Sequence, residues 1–320
     1  MDSRGSSTSS AIASPALDPP KLFALDRSGL IHLSIVWVVW GSTYLAIRMA
    51  VREGTGFPPF TMACMRVFLG SALLFGWARF RGLRLRATRG ELLTLALTGC
   101  FLWLGGNGLL TFAERRVHSG YAALVVATAP VWAALIEGLL DRRRPTLLFM
   151  GSLGLSIAGI ALLSSPGSNE APLDGVTIAA LLLAPLSWAG GTVLMRRQPI
   201  KLDPLAGAAY QHAFAAIGFA SMALACGERI EHPEPQAWLA WGYLALIGAF
   251  AFTSYVQAVK RLPVGIVMTY AYVNPVIAVA LGWALLNEEV TKVTFAGAAL
   301  VLAGVAGIFH EKARAASTQK

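Results

Sequence analysis

Shifted by 145 residues, this sequence falls onto its own punctuation. Pro59 lands on Pro204, Ala113 on Ala258, Arg116 on Arg261 and Gly120 on Gly265. Pro130-Val131 lands on Pro275-Val276, Thr146 on Thr291, and Ala158-Gly159 on Ala303-Gly304. At a slightly larger offset, Trp40 and Arg48 match Trp188 and Arg196. Each copy reads as five apolar segments, an odd number, so the second copy must cross a bilayer in the sense opposite to the first. The expected fold class is therefore all-α integral membrane, ten transmembrane helices arranged as two inverted five-helix repeats. Architectures of this kind place a binding site near the midplane, between the halves.

Composition carries the bilayer part of that reading. A hydrophobic fraction of 56%, a charged fraction of 13% and a mean hydropathy of +0.60 do not describe a soluble chain of 320 residues. A spanning helix needs about 20 apolar residues. Such runs lie near 30–50, 57–78, 91–112, 119–140, 147–165, 175–195, 204–226, 237–259, 264–286 and 292–309. The expected organisation is a disordered cytoplasmic tail over 1–28, one repeat over 29–166, a second over 174–310 and a cytoplasmic tail over 311–320. Residues 1–26 are rich in Ser, Ala and Pro without a continuous apolar core, unlike a cleaved leader.

The net charge of +9 invites a nucleic-acid partner, and the positions of the charges reject it. With the N-terminus inside, nineteen of the 26 Lys and Arg fall on the inner segments and six on the outer; Arg66 alone lies within a span. That bias is the positive-inside pattern and puts both termini in the cytoplasm, with the chain in the cell membrane. Cys64, Cys100 and Cys226 sit in spans at unrelated spacings and read as small packing residues, with no disulfide framework, metal or cofactor implied.

Small residues recur at helical spacing in the fifth span (Gly151, Gly154, Ala158, Gly159) and the tenth (Ala296, Ala299, Ala303, Gly304). In lipid, close backbone approach through such residues holds helices together, so these two spans read as packing helices, with a homodimer contact open to them. Pro130 and Pro275 sit mid-span at equivalent positions, where proline removes a backbone hydrogen bond and bends a helix. A gating hinge and a static bend both fit.

Polar and aromatic side chains inside spans each need a partner or water. Trp103, Asn107 and Thr111 follow one another at four-residue spacing, and Tyr270 and Asn274 stand four apart before Pro275. Tyr210, Gln211 and His212 are consecutive, Ser254, Tyr255 and Gln257 cluster in the eighth span, and Trp37, Trp40 and Tyr44 share a face of the first. Aromatic faces with a few amides and hydroxyls suit a cavity for a small amphipathic molecule; interhelical hydrogen bonding is the bland alternative. Arg66 either receives a substrate carboxylate or bonds backbone carbonyls, and its repeat mate is Gln211. Glu137 is expected to snorkel toward Arg142, Arg143 and Arg144, and Glu288 and Glu289 to be solvated on the outer side.

At these residues the chain resembles the EamA-type branch of the drug/metabolite transporter superfamily, and within it the YedA/PecM-like exporters. The likeness rests on Trp40-Gly41-Ser42-Thr43-Tyr44-Leu45-Ala46-Ile47-Arg48, Pro58-Pro59 with Arg66, Gly105-Gly106-Asn107-Gly108, Ser119-Gly120 with Pro130, and Thr269-Tyr270-Ala271-Tyr272-Val273-Asn274-Pro275-Val276. The resemblance implies export of small metabolites or drugs by alternating access, through a cavity shared by both halves. By position it makes Trp40, Asn107, Gln211, Tyr255, Tyr270 and Asn274 lining candidates, beside Arg66 and Trp103 from the residue reading. The family often has an acid after the fourth helix of each repeat; Glu288 keeps it, whereas Arg143 stands at the equivalent place in the first repeat.

The expected function is thus a secondary-active transporter for amphipathic metabolites, amino acids or drugs, with a small-molecule substrate, a lipid bilayer around it and a proton as the candidate coupling ion. No GxxxxGK pattern followed by Ser or Thr is present to bind ATP. A lipid-modifying enzyme needs clustered acid, base or metal groups; the five histidines are scattered, and no catalytic residues are assigned. A sensor or assembly partner lacks extramembrane surface to carry a signal.

Overall fold

The computed structural model describes residues 26–142, 146–163, 174–198, 200–262, 264–267 and 269–318. Among them every regular element is helical: α1 (Arg27–Val51), α2 (Pro59–Phe80), α3 (Arg89–Gly99), a π-helical segment (Cys100–Gly108), α4 (Leu109–Ala113), α5 (Ser119–Val126), α6 (Ala129–Leu140) and α7 (Leu147–Leu163). The second half follows with α8 (Gly175–Arg197), α9 (Pro204–Ala225), α10 (Pro235–Arg261), α11 (Val264–Val267), α12 (Tyr270–Leu286) and α13 (Lys292–Thr318). By length and composition, six helical stretches among the described residues can cross a membrane: Arg27–Val51, Pro59–Phe80, Arg89–Ala113, Ser119–Leu140, Gly175–Arg197 and Lys292–Glu311. Leu147–Leu163 and Tyr270–Leu286 are shorter apolar helices. Large apolar side chains such as Phe68, Leu147 and Leu239 point outward, as lipid contact requires.

Local chemistry sets most helix starts. Asp26, Asp174 and Asp203 cap α1, α8 and α9 by accepting from backbone amides, and Thr88 with Glu91 forms a capping box on α3. At two of the helices without a local side-chain cap, α2 and α5, the second half supplies one. Glu228 accepts from the amides of Phe60 (3.1 Å) and Thr61 (2.7 Å) at the start of α2. Glu288 does the same for α5, accepting from the amides of Ser119 (2.8 Å) and Gly120 (3.4 Å) and from the Ser119 hydroxyl (2.9 Å). Glu288 is consequently buried, which corrects the expectation of a solvated acid; Glu289 is exposed.

The packing repeats as the sequence does. Helix α1 packs on α10 and α12, while α8 packs on the π segment and α6. The remaining principal pairs are α2 with α9, α7 with α13 and α5 with α12. Exchanging the halves through the repeat shift maps this set of pairs onto itself, except for α5 with α12. Two ion pairs are related by the exchange of halves, with the caps at the slightly larger offset: Arg116 meets Asp174 at the cap of α8 (2.6 Å), and its repeat mate Arg261 meets Asp26 at the cap of α1 (3.5 Å).

The helix breaks at Ala127-Thr128, and α6 restarts with Pro130 in its first turn. Pro275 differs, because α12 runs through it unbroken and the interruption falls earlier, before Tyr270. Glu137 pairs with Arg196 of the second half, a partner the charge pattern did not suggest; Arg143 and Arg144 lie outside the described residues, as do residues 1–25 of the expected tail. Helix α13 continues to Thr318, past the expected end of the tenth span.

Candidate functional site between the halves

The structure sorts the predicted site residues into two clusters and two interhelical ties. The first cluster surrounds Arg66. This side chain is buried on α2, donates to the Asn107 amide oxygen (3.3 Å) and lies 5.6 Å from the centroid of the Trp103 ring. Trp103 in turn packs at a tilt against His212 of α9, with ring centroids 4.3 Å apart, and the His212 ring Nδ1 lies 2.8 Å from the Ala208 carbonyl. A guanidinium has five N–H donors, and Asn107 accepts from one of them. On the α10 side, Arg66 Nη2 faces Gly248, where a Cβ would stand 3.7 Å away.

Trp103 and Asn107 both lie in the π segment. A nine-residue π-helix is unusual, and π-bulges concentrate at functional sites. Its glycines allow close contact with α8: a Cβ on Gly105 would meet Ser187 Oγ at 1.9 Å and one on Gly106 would meet the Trp188 ring at 2.9 Å. The Ser187 hydroxyl donates to the Phe101 carbonyl (2.8 Å), satisfying an acceptor inside the widened turn. The sequence signal was Gly105-Gly106-Asn107-Gly108, in which the glycines were read only as family punctuation.

The second cluster is aromatic. Trp40 of α1 lies 5.1 Å from Tyr255 of α10 and 5.2 Å from Tyr270 of α12, and the two tyrosine rings are 6.1 Å apart. Three helices from both halves thus present three ring faces or edges to one another.

Asn274 and Gln211 do other work. With its amide nitrogen turned toward α1, Asn274 donates to the carbonyls of Trp37 (3.3 Å) and Tyr270 (3.2 Å), tying α12 to α1. Gln211 donates to the Thr98 hydroxyl (2.9 Å) and toward Met195 sulfur (3.7 Å), joining α9 to α3 and α8. Both are buried. Two cavities of about 110 Å³ and 20 Å³ lie elsewhere, the larger between Arg52, Thr55 and Glu234, the smaller beside His118 and Glu288.

Sequence reasoning passed over Glu114 and misjudged Arg48. Glu114 caps the end of α4, is wholly buried, and neither carboxyl oxygen has a hydrogen-bond partner. Arg48 was counted among the outer charges. It is buried, and its guanidinium donates to the main-chain carbonyls of Glu114 (2.9 Å) and Arg115, closing the C-terminus of α4. Beside it, Arg116 binds Glu53 through two nitrogens (2.8 and 3.0 Å) and holds that carboxyl below its ordinary range. Asp174 is lowered too, first by the Thr177 amide and then by Arg116.

A model of the EamA-like transporter family matches residues 27–165 and again 175–310, nearly the whole of both repeats. The chain belongs to the EamA-like transporter family. It is 33% identical over 276 residues to a protein of Escherichia coli (strain K12) named "Uncharacterized inner membrane transporter YedA", across 85% of this chain and 88% of that one. It is 25% identical over 276 residues to a Streptantibioticus cattleyicolor protein named "Probable terminal-alkyne amino-acid exporter", across 85% and 90% of the two chains. A solved crystal structure shares the fold at a TM-score of 0.61 and 20% identity, covering 88% of this chain and 96% of its own. This member of the EamA family is therefore a multi-pass membrane transporter, and the two clusters are the places where its helices gather polar and aromatic groups.

Proposed function

We propose that this EamA-family protein is a secondary-active exporter of small amphipathic carboxylates, amino acids among them, working by alternating access between its two halves. In this reading ten spans form two inverted five-helix repeats in the cytoplasmic membrane, with both termini cytoplasmic. The self-mapping helix pairs and the paired Arg116–Asp174 and Arg261–Asp26 contacts support that arrangement. The observation that carries the substrate class is Arg66. A buried guanidinium backed by an aromatic face, with one amide oxygen on it and a glycine opposite, is arranged to take a carboxylate in a bidentate pair. The Trp40, Tyr255 and Tyr270 rings suit the apolar part of such a molecule. The exporter name borne by the Streptantibioticus relative points the same way.

The test is export of toxic amino-acid analogues from overexpressing cells. Removing a hydrogen bond to a charged group costs about 1.5–3 kcal/mol, so Arg66→Gln is expected to weaken apparent affinity by roughly 10- to 100-fold. Asn107→Ala removes the neutral neighbour and is expected to lose less. Membrane levels are checked by immunoblot. Unchanged tolerance in Arg66→Gln and Trp40→Ala cells at equal protein levels would place the cavity elsewhere.

A further inference from the structure

We propose that Glu114 is a proton-binding site, protonated while the outer end of the bundle is closed and deprotonated when water reaches it. The site stands on the geometry; its use as a coupling site rests on the transporter reading above.

The Glu114 side chain is 0% exposed, and both oxygens lack a hydrogen-bond donor. One turn earlier on the same side, the Thr111 hydroxyl is equally buried and without a partner. An ionised carboxylate left without donors in a dry interior is far more costly than a neutral acid. The surrounding charges do not supply those donors. On α1, Arg48 gives its guanidinium to the carbonyls of Glu114 and Arg115 rather than to the carboxyl, and Tyr44 lies within electrostatic reach of that carboxyl. On α2, Arg66 faces Asn107 and Trp103. From the end of α12, Glu288 brings a like charge, itself held by Ser119 and Gly120. The outer end of α8 offers Asp174, engaged by Arg116 and the Thr177 amide. On the chain following Glu114, Arg115 lies over the Phe112 ring and donates to its carbonyl. Burial first, and the charge of Glu288 second, raise the pKa of Glu114 well above the ordinary carboxylate value, against the opposing pull of Arg48 and Arg66.

The same end of the bundle contains its own release. Glu288 ties α12 to the first turn of α5 close to Glu114, so parting that tie admits water. The proton then leaves the Glu114 oxygen for water, and the carboxylate left behind is hydrated and drawn to Arg48 and Arg66. Closing the end returns a proton from water to the same oxygen. One proton is released on opening and one is taken up on closing, with no other bond made or broken.

The test begins without any transport substrate. Full-length protein in lipid nanodiscs is compared with Glu114→Gln, which mimics the protonated acid. Wild type is expected to show, at pH 7, an infrared carbonyl band of a buried protonated carboxyl that Glu114→Gln lacks. A folded-state pKa above the unfolded value of about 4.3 means that wild type loses stability as pH rises above that value. Glu114→Gln is therefore expected to melt roughly 2–4 °C higher at pH 8, with the difference vanishing near pH 4. Should Glu114→Gln not fold, Glu114→Asp keeps the acid and is expected to shift the band. No band in wild type, or a melting difference independent of pH, overturns the proposal. In proteoliposomes, a pH gradient is expected to accelerate leucine-analogue flux in wild type, and to leave the rate in Glu114→Gln unaltered, whatever that rate is. Band present with no flux in wild type sinks the transporter reading alone; flux present with no band sinks the proton site alone.

Discussion

Replacing Glu288 with alanine is expected to lower the melting temperature of the protein substantially and to loosen the end of the bundle where α5 meets α12. Its carboxylate accepts two backbone amides and a hydroxyl at a helix start that has no cap of its own. The first amides of a helix have no intrahelical acceptor, and α5 begins in a buried place where water does not replace the lost one. Loss of a cap combined with loss of charged hydrogen bonds is worth roughly 2–4 kcal/mol. The measurement is a thermal melt in detergent, read beside thiol labelling of Ser119→Cys in each background. Labelling should speed up when Glu288 is absent. Gly282→Ala is expected to reproduce the effect with the acid retained, because its Cβ would stand 2.2 Å from Glu288 Oε2 and 2.8 Å from Ser119 Oγ. Equal melting and labelling in all three proteins would show that the tie contributes nothing.

Valine at Gly159 is expected to cost at least as much. Helices α7 and α13 cross with backbone against backbone: a Cβ on Gly159 would lie 2.8 Å from both the Gly297 carbonyl oxygen and the Val301 amide nitrogen. On the opposite helix, a Cβ on Gly304 would lie 2.5 Å from the Ser152 carbonyl oxygen. Backbone atoms cannot swing aside as a side-chain end can, so the helices must separate. Overpacking costs about 1–3 kcal/mol, and more where the obstructing atoms cannot move; in lipid no apolar burial between helices compensates for lost contact. Membrane-inserted protein and its melting temperature are the readouts. Gly151→Val supplies the control, since nothing stands within 4 Å of a Cβ there and it should be tolerated.

That contrast also shows how far the sequence was legible. The small-residue stripe of the fifth span was visible as a stripe, but the helix presents Gly159 and Ser156 to α13 while Gly151 and Gly154 are exposed. Spacing tells that a helix has a small face; only the neighbour decides which part of that face is used. The candidate site was legible in the same partial way. Arg66, Trp103 and Asn107 were picked as isolated polar or aromatic residues in apolar surroundings, and they meet. Trp40, Tyr255 and Tyr270 were picked from three different spans and also meet. Asn274 and Gln211 looked identical in sequence and serve as interhelical ties, because an amide in a span satisfies itself on whatever acceptor or donor lies beside it.

Glu114 escaped notice because it sits at a helix end between Ala113 and two arginines, where a charged residue normally reaches water. Glu288 was misplaced for the same reason. A position near the end of an apolar run gives no hint that another helix begins directly against it.

By itself the sequence determined the helical class, the two copies and their register, since hydropathy, proline and glycine punctuation act locally and are inherited by each repeat. Only the tertiary structure decided which charges are buried and which helix lends its acid to cap another. Those outcomes depend on groups more than a hundred residues apart in the chain, as Ser119 and Glu288 are, and their cost or benefit appears only once water has been excluded from between them.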